Sequence, residues 1–286
     1  MVPVSAPSHL TARERARRAA RGGASRSVPA PLLVPALIAV GFLVLPLVGL
    51  LIRAPWSHMG AALSGSDATQ ALILSLWTAS ASTAISLVIG VPLAWVLARS
   101  SFPGQRLLRA LVTLPLVLPP VVGGVALLLA FGRTGFLGHY LDSWFGLTIP
   151  FTPIAVVMAE TFVAMPFLII TVEGALRSAD QGFEEAAATL GAKRMTVFLR
   201  VTLPLVAPSL GAGAVLCWAR ALGEFGATIT FAGSFPGETE TMPIAVYYAL
   251  ENDPDAAIAL SLVLLLVSIA VLVSLRDRWV RHGAVP

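Results

Sequence analysis

Charge is scarce in this sequence. Lys, Arg, Asp and Glu make up 12% of its 286 residues, and 57% are hydrophobic. A soluble globular chain carries about 25% charged residues and about 45–50% apolar ones. Half the usual charge leaves too little polar surface to face water on every side, which excludes an ordinary soluble globule. A mean hydropathy of +0.85 points to lipid as the solvent for much of the chain. Cysteine is nearly absent: Cys217 stands alone in an apolar stretch. That excludes an intrachain disulfide and a thiolate cluster, and Cys217 reads as a small packing residue. Histidine is sparse too. His9, His58, His139 and His282 are scattered over tails and loops with no H-E-x-x-H pair. The G-x-S-x-G elbow, the P-loop and Cys/His metal spacing are also missing. The expectation is therefore a non-enzymatic chain with no catalytic residues, no metal site and no cofactor of its own. If ATP is hydrolysed, a separate subunit does it.

Long apolar runs are what the sequence has instead. A membrane-spanning helix needs about 20 mostly apolar residues. Six segments qualify, at 31–52, 70–97, 107–131, 153–172, 203–227 and 256–275. The basic residues fall on alternate connections. Six arginines precede the first segment, from Arg13 to Arg26. Arg99, Arg106 and Arg109 lie between the second and third, and Arg177, Lys193, Arg194 and Arg200 between the fourth and fifth. Arg276, Arg278 and Arg281 follow the sixth, whereas the other connections hold only Arg53 and Arg133. Lys and Arg stay on the cytoplasmic side during insertion. The expectation is an all-α membrane protein of six spanning helices, with both termini cytoplasmic. The bilayer is its surroundings, and no nucleic-acid partner is expected. Residues 1–30 read as a basic, disordered tail that orients the chain and can touch anionic lipid. A cleaved signal peptide is disfavoured, because the apolar run exceeds an h-region of about 7–15 residues. The expected divisions are this tail, a first helix at 31–55, a core at 56–281 and a short tail at 282–286.

Breaks occur at membrane depth. Pro115, Pro119, Pro120, Gly123 and Gly124 interrupt the third segment. Irregular backbone at that depth must face protein or water, so this stretch reads either as a kinked helix lining a path or as a kink with a packing role. Ser82, Ser86 and Gly90 recur at four-residue spacing, a small-residue face for close helix contact. Three ionisable residues lie within the apolar segments: Glu160, Arg220 and Glu224. Charges there are expensive and raise a functional question. Arg220 and Glu224 are four apart and share a helical face. Either Arg220 lends positive potential to an anion path, or the two form a structural ion pair.

The connection between the fourth and fifth segments is long and polar. Within it Phe183, Ala187 and Leu190 share one helical face. Glu184 and Glu185 stand in the first turn, Gly191 marks a stop, and Lys193 and Arg194 follow. These are the marks of a short amphipathic helix with dipole-matched ends. The connection 233–255 has no Lys or Arg but carries Glu238, Glu240, Glu251, Asp253 and Asp255, with an apolar stretch 244–250 that predicts a short helix.

Residues 185–204 resemble the signature of ATP-binding-cassette (ABC) importer permeases, E-A-A-x3-G-x9-I-x-L-P. Glu185, Ala186, Ala187, Gly191, Leu203 and Pro204 match, and Val201 replaces the isoleucine. Two further stretches resemble the molybdate branch of that family. Residues 114–124 read LPLVLPPVVGG, with FGRTG at 131–135. Residues 219–230 read ARALGEFGATIT, followed by PGET at 236–239. Sulfate permeases share a related A-R-A-x-G-E pattern. The resemblance implies a type I ABC importer permease fold working as a homodimer in a bacterial-type cell (inner) membrane. It implies two ATPase subunits and an extracytoplasmic oxyanion-binding protein as partners. It also implies a coupling helix at 181–195, with Glu184, Glu185, Ala186, Ala187, Gly191, Lys193 and Arg194 turned to the ATPase. For the translocation path the expectation names Pro119, Pro120, Gly123, Arg220, Glu224 and Thr228. The substrate it implies is molybdate, with sulfate or tungstate as alternatives. An ion-coupled secondary carrier and a membrane enzyme or assembly factor with no transport role remain the rival classes.

Overall fold

Apolar stretches in lipid must satisfy their backbone hydrogen bonds internally, and every regular element among the described residues is helical. The computed structural model describes residues 30–57, 59–60 and 66–280. The expected basic tail lies outside these apart from Ala30, as does all of 282–286. Helix α1 (Ala30–Ile52) stands as a unit of its own. Its Leu, Val and Phe side chains are exposed all round, Phe42 at 76%. At about 1.5 Å per residue it is about 34 Å long, enough to cross a bilayer core.

The second unit begins at Arg53. Its helices are α2 (Ser66–Arg99), α3 (Gln105–Val117), α4 (Pro120–Phe131), α5 (Gly138–Phe145), α6 (Pro153–Ser178), α7 (Gly182–Thr189), α8 (Arg194–Val197), α9 (Leu203–Leu222), α10 (Gly226–Phe231), α11 (Met242–Asn252) and α12 (Pro254–Val280). A π-helical turn, Phe198–Thr202, joins α8 to α9. Helix α6 starts cleanly because Pro153 needs no N–H partner and Thr152 Oγ1 accepts from Ala155 N. It is the centre of the unit, packed chiefly on α2 and α9. Leu97, Leu168, Ile169, Val172, Leu176 and Cys217 are fully buried between these three helices. Cys217 is the small packing residue expected. A second core joins α4, α6 and α10 through Leu127, Val156, Val163 and Phe231.

Five helices are long and apolar enough to cross a membrane, and six cross if the bent pair α3–α4 counts as one span. Two of the expected segments take a different form. The third is broken between Val117 and Pro120, where α3 and α4 meet at 118°. Pro119 and Pro120 lack the N–H groups that would continue α3, yet they suit the start of α4. The fifth ends at Leu222 rather than at 227. Glu224 sits in the break that follows and accepts from Ala227 N at 2.8 Å, which opens α10 as a new helix. The second and fourth segments run on to Arg99 and Ser178. The expected helix at 244–250 is present within α11, whose first residue donates its N–H to Ser75 Oγ of α2 at 2.7 Å.

Candidate functional site

The short helix α7 ends as its sequence dictates. Gly191 has φ +83°, a left-handed conformation that side chains with a Cβ disfavour. Gly191 N donates to Ala188 O at 2.9 Å and Ala192 N to Ala187 O at 3.1 Å. Those paired bonds are a Schellman closure, which satisfies the last carbonyls. The helix spans 182–189, shorter than the expected 181–195, and Arg194 opens α8 instead. Phe183 and Leu190 are exposed, at 58% and 89%. Glu185, Ala186, Lys193 and Arg194 are also exposed, while Glu184 and Ala187 are half-buried. Glu184 departs from the expected outward orientation: its Oε1 accepts from Arg99 Nη2 of α2 at 2.8 Å. The outward face of α7 is therefore Phe183, Glu185, Ala186 and Leu190.

A second constellation lies where the broken helices meet. A Cβ built on Gly226 would stand 2.8 Å from Pro120 Cβ, so α10 begins directly against the start of α4. Gly124 approaches Ala227 and Thr230 equally closely. Arg220 Nη2 donates to Glu224 Oε2 at 2.6 Å, and the other oxygen of Glu224 holds Ala227 N. Pro120, Arg220 and Glu224 thus share one junction. Pro119 caps α4 on its exposed side. Gly123 belongs elsewhere, facing Phe162 of α6. Thr228 is fully buried, and its hydroxyl has no hydrogen-bond partner among the described residues. The Arg220 side chain is 28% exposed and its charge is matched by Glu224.

Two polar networks escaped the sequence reading. Thr78 Oγ1 of α2 donates to Glu160 Oε1 at 2.9 Å, giving that buried carboxylate a partner 82 positions away. Near the other end of α6, Glu173 accepts from Arg109 Nη2 at 2.7 Å and from Arg177 Nε at 3.0 Å. Arg109 and Arg177 also each donate to Leu97 O at 3.3 Å. The four-residue spacing of Glu173 and Arg177 was a usable signal. The pairings of Thr78 and Arg109 left none, because nothing local in sequence marks them.

Five helices long and apolar enough to span a bilayer, a sixth span if the bent pair α3–α4 is one, and a short exposed helix between two of them define a multi-pass membrane protein. The family model for "binding-protein-dependent transport system inner membrane component" matches residues 90–282, and the chain belongs to that family. It is 49% identical over 251 residues to the molybdenum transport system permease protein ModB of Mycobacterium tuberculosis, covering 88% of this chain and 95% of that one. It is 35% identical over 245 residues to the sulfate transport system permease protein CysT of Escherichia coli, covering 84% and 88%. Among solved structures, a bacterial ABC transporter involved in alginate import matches with a TM-score of 0.72 at 18% identity, covering 88% of this chain and 94% of that one. That last likeness concerns the fold alone.

Proposed function

We propose that this chain is the membrane-spanning subunit of an ABC importer that moves molybdate into the cytoplasm. The observation that carries the substrate is the 49% identity across 95% of a molybdenum transport permease, against 35% to a sulfate permease. In this reading the chain works as a homodimer in the inner membrane, both termini inside. Separate ATPase subunits hydrolyse ATP, and an extracytoplasmic binding protein delivers the oxyanion. No cofactor belongs to the chain itself. The reading rests further on α7, whose exposed Phe183 and Leu190 fit an apolar groove on an ATPase.

ATP closure moves the docked α7, and the bundle passes between inward- and outward-open states that ATP and the loaded binding protein stabilise differently. The junction of α4 and α10 lies on the path, with Arg220 attracting the anion and Glu224 holding Arg220 between passages. The acidic connection 233–255 faces outward. It repels a free dianion, which suits delivery by a docked protein over capture from solution. The test is made in cells lacking this chain, grown on scarce molybdate. Cell molybdenum should fall and return with the intact chain, while growth on sulfate as sole sulfur source is unaffected. Unchanged molybdenum with lost growth on sulfate would assign the chain to sulfate instead.

A further inference from the structure

Helix α7 is tied to the bundle in two ways. One is covalent: residues 179–181 join it to α6, and beyond Gly191 the chain passes through α8 and the π-helical turn 198–202 into α9. From Arg194 to Leu222 the backbone stays helical, with one π-helical turn at Phe198–Thr202. Single π turns are rare and recur at functional sites. The other tie is Arg99–Glu184, reaching from the last residue of α2 to the first turn of α7. Among the described residues it is the one side-chain hydrogen bond from α7 to a membrane-spanning helix. The side chains are 7% and 18% exposed, so this is no loose surface pair. Arg99 Nε and Nη1 are buried without hydrogen-bond partners, so among the described residues Glu184 is the acceptor on which this guanidinium depends. The end of α2 is itself anchored. Leu97 O accepts from Gln105, Arg109 and Arg177, and Glu173 bridges the two arginines. The pair therefore joins α7 to the point where α2, α3 and α6 meet.

We infer that Arg99–Glu184 is a positioning strut that makes α2 move with α7, so that displacement of α7 reaches α2 directly and not only by way of its chain neighbours α6 and α9. This rests on the reading of α7 as the ATPase-docking helix. It assigns Glu184 to the bundle side of that helix, distinct from the docking face.

The test uses the complex with its ATPase and binding protein in vesicles, with Glu184→Gln, Arg99→Gln and the exchange Arg99→Glu with Glu184→Arg. Each single variant should keep the ATPase bound yet lose roughly fivefold or more in oxyanion moved per ATP, the low end of ordinary coupling between sites. The exchange should recover most of that ratio. A ratio unchanged in the single variants, an exchange without recovery, or loss of the ATPase from the Glu184→Gln complex would each overturn the strut. A second measurement needs no transport. Spin labels at Val88 and Ala188, in a Cys217→Ser background of the purified permease, report the distance between α2 and α7. The distribution should broaden in Glu184→Gln, and an unchanged one overturns the strut even if the wild-type complex moves no oxyanion. Failure of wild-type ATP-driven uptake, by contrast, counts against the proposed function.

Discussion

Gly124 of α4 lies so close to Ala227 of α10 that a Cβ on Gly124 would stand 2.7 Å from the Ala227 carbonyl oxygen. The two broken helices are locked backbone to backbone at that point. Gly124→Val should therefore overpack the junction by about 1–3 kcal/mol. The measurement is the melting temperature of the purified permease, which should fall, together with oxyanion uptake, which should be lost. Gly41→Val in α1, where a Cβ meets nothing within 4 Å, is the matched control and should change neither.

The docking face of α7 yields a prediction that separates backbone from surface. No atom of this chain lies within 4 Å of a Cβ at Gly191, so within the chain its substitution acts through the left-handed backbone. Gly191→Ala should cost about 1 kcal/mol of local stability and Gly191→Val more. Phe183→Ser and Leu190→Ser leave the backbone alone and remove exposed apolar surface. All four variants should insert normally and retain less ATPase on co-purification, with Gly191→Val affected more than Gly191→Ala. Full ATPase retention in Phe183→Ser and Leu190→Ser would remove α7 as the docking element.

Arg220 and Glu224 should respond unequally. Glu224 has a side chain 1% exposed, so Arg220→Ala strands a buried carboxylate, a loss of about 3 kcal/mol or more. Glu224→Gln keeps an oxygen for Ala227 N and frees Arg220. The expected outcome is a poorly folded, inactive Arg220→Ala protein and a folded Glu224→Gln protein with altered uptake. Equal melting temperatures for the two variants would contradict this division.

Orientation is tested by reporters. A fusion after Arg281 should be cytoplasmic, and an insertion beside Glu238 should be outside. A cytoplasmic signal at Glu238 would contradict six crossings. On the same connection, Glu238→Lys should weaken stimulation of ATP hydrolysis by the binding protein and leave basal hydrolysis intact.

The helices were legible because lipid leaves few options for an apolar run of about 20 residues. The stop at Gly191 was legible because its cause is local. What escaped the sequence was set by partners far along the chain. Glu184 looked like a surface charge of an amphipathic helix until Arg99, 85 positions away, drew it inward. The fifth segment read as continuous to 227 because Gly223 alone is a weak break. The carboxylate of Glu224, by capping Ala227, makes the break complete. The 118° angle at Pro119 and Pro120 was foreseen as a kink but not in size, since the packing of α4 on α10 fixes it.

The most direct measurement is uptake into vesicles holding this chain, its ATPase and the loaded binding protein. Molybdate should accumulate only with ATP on the ATPase side, should need all three proteins, and should disappear in Gly191→Val while the permease remains inserted. Accumulation driven by an ion gradient with no ATPase present would contradict an ATP-coupled permease and point to a secondary carrier.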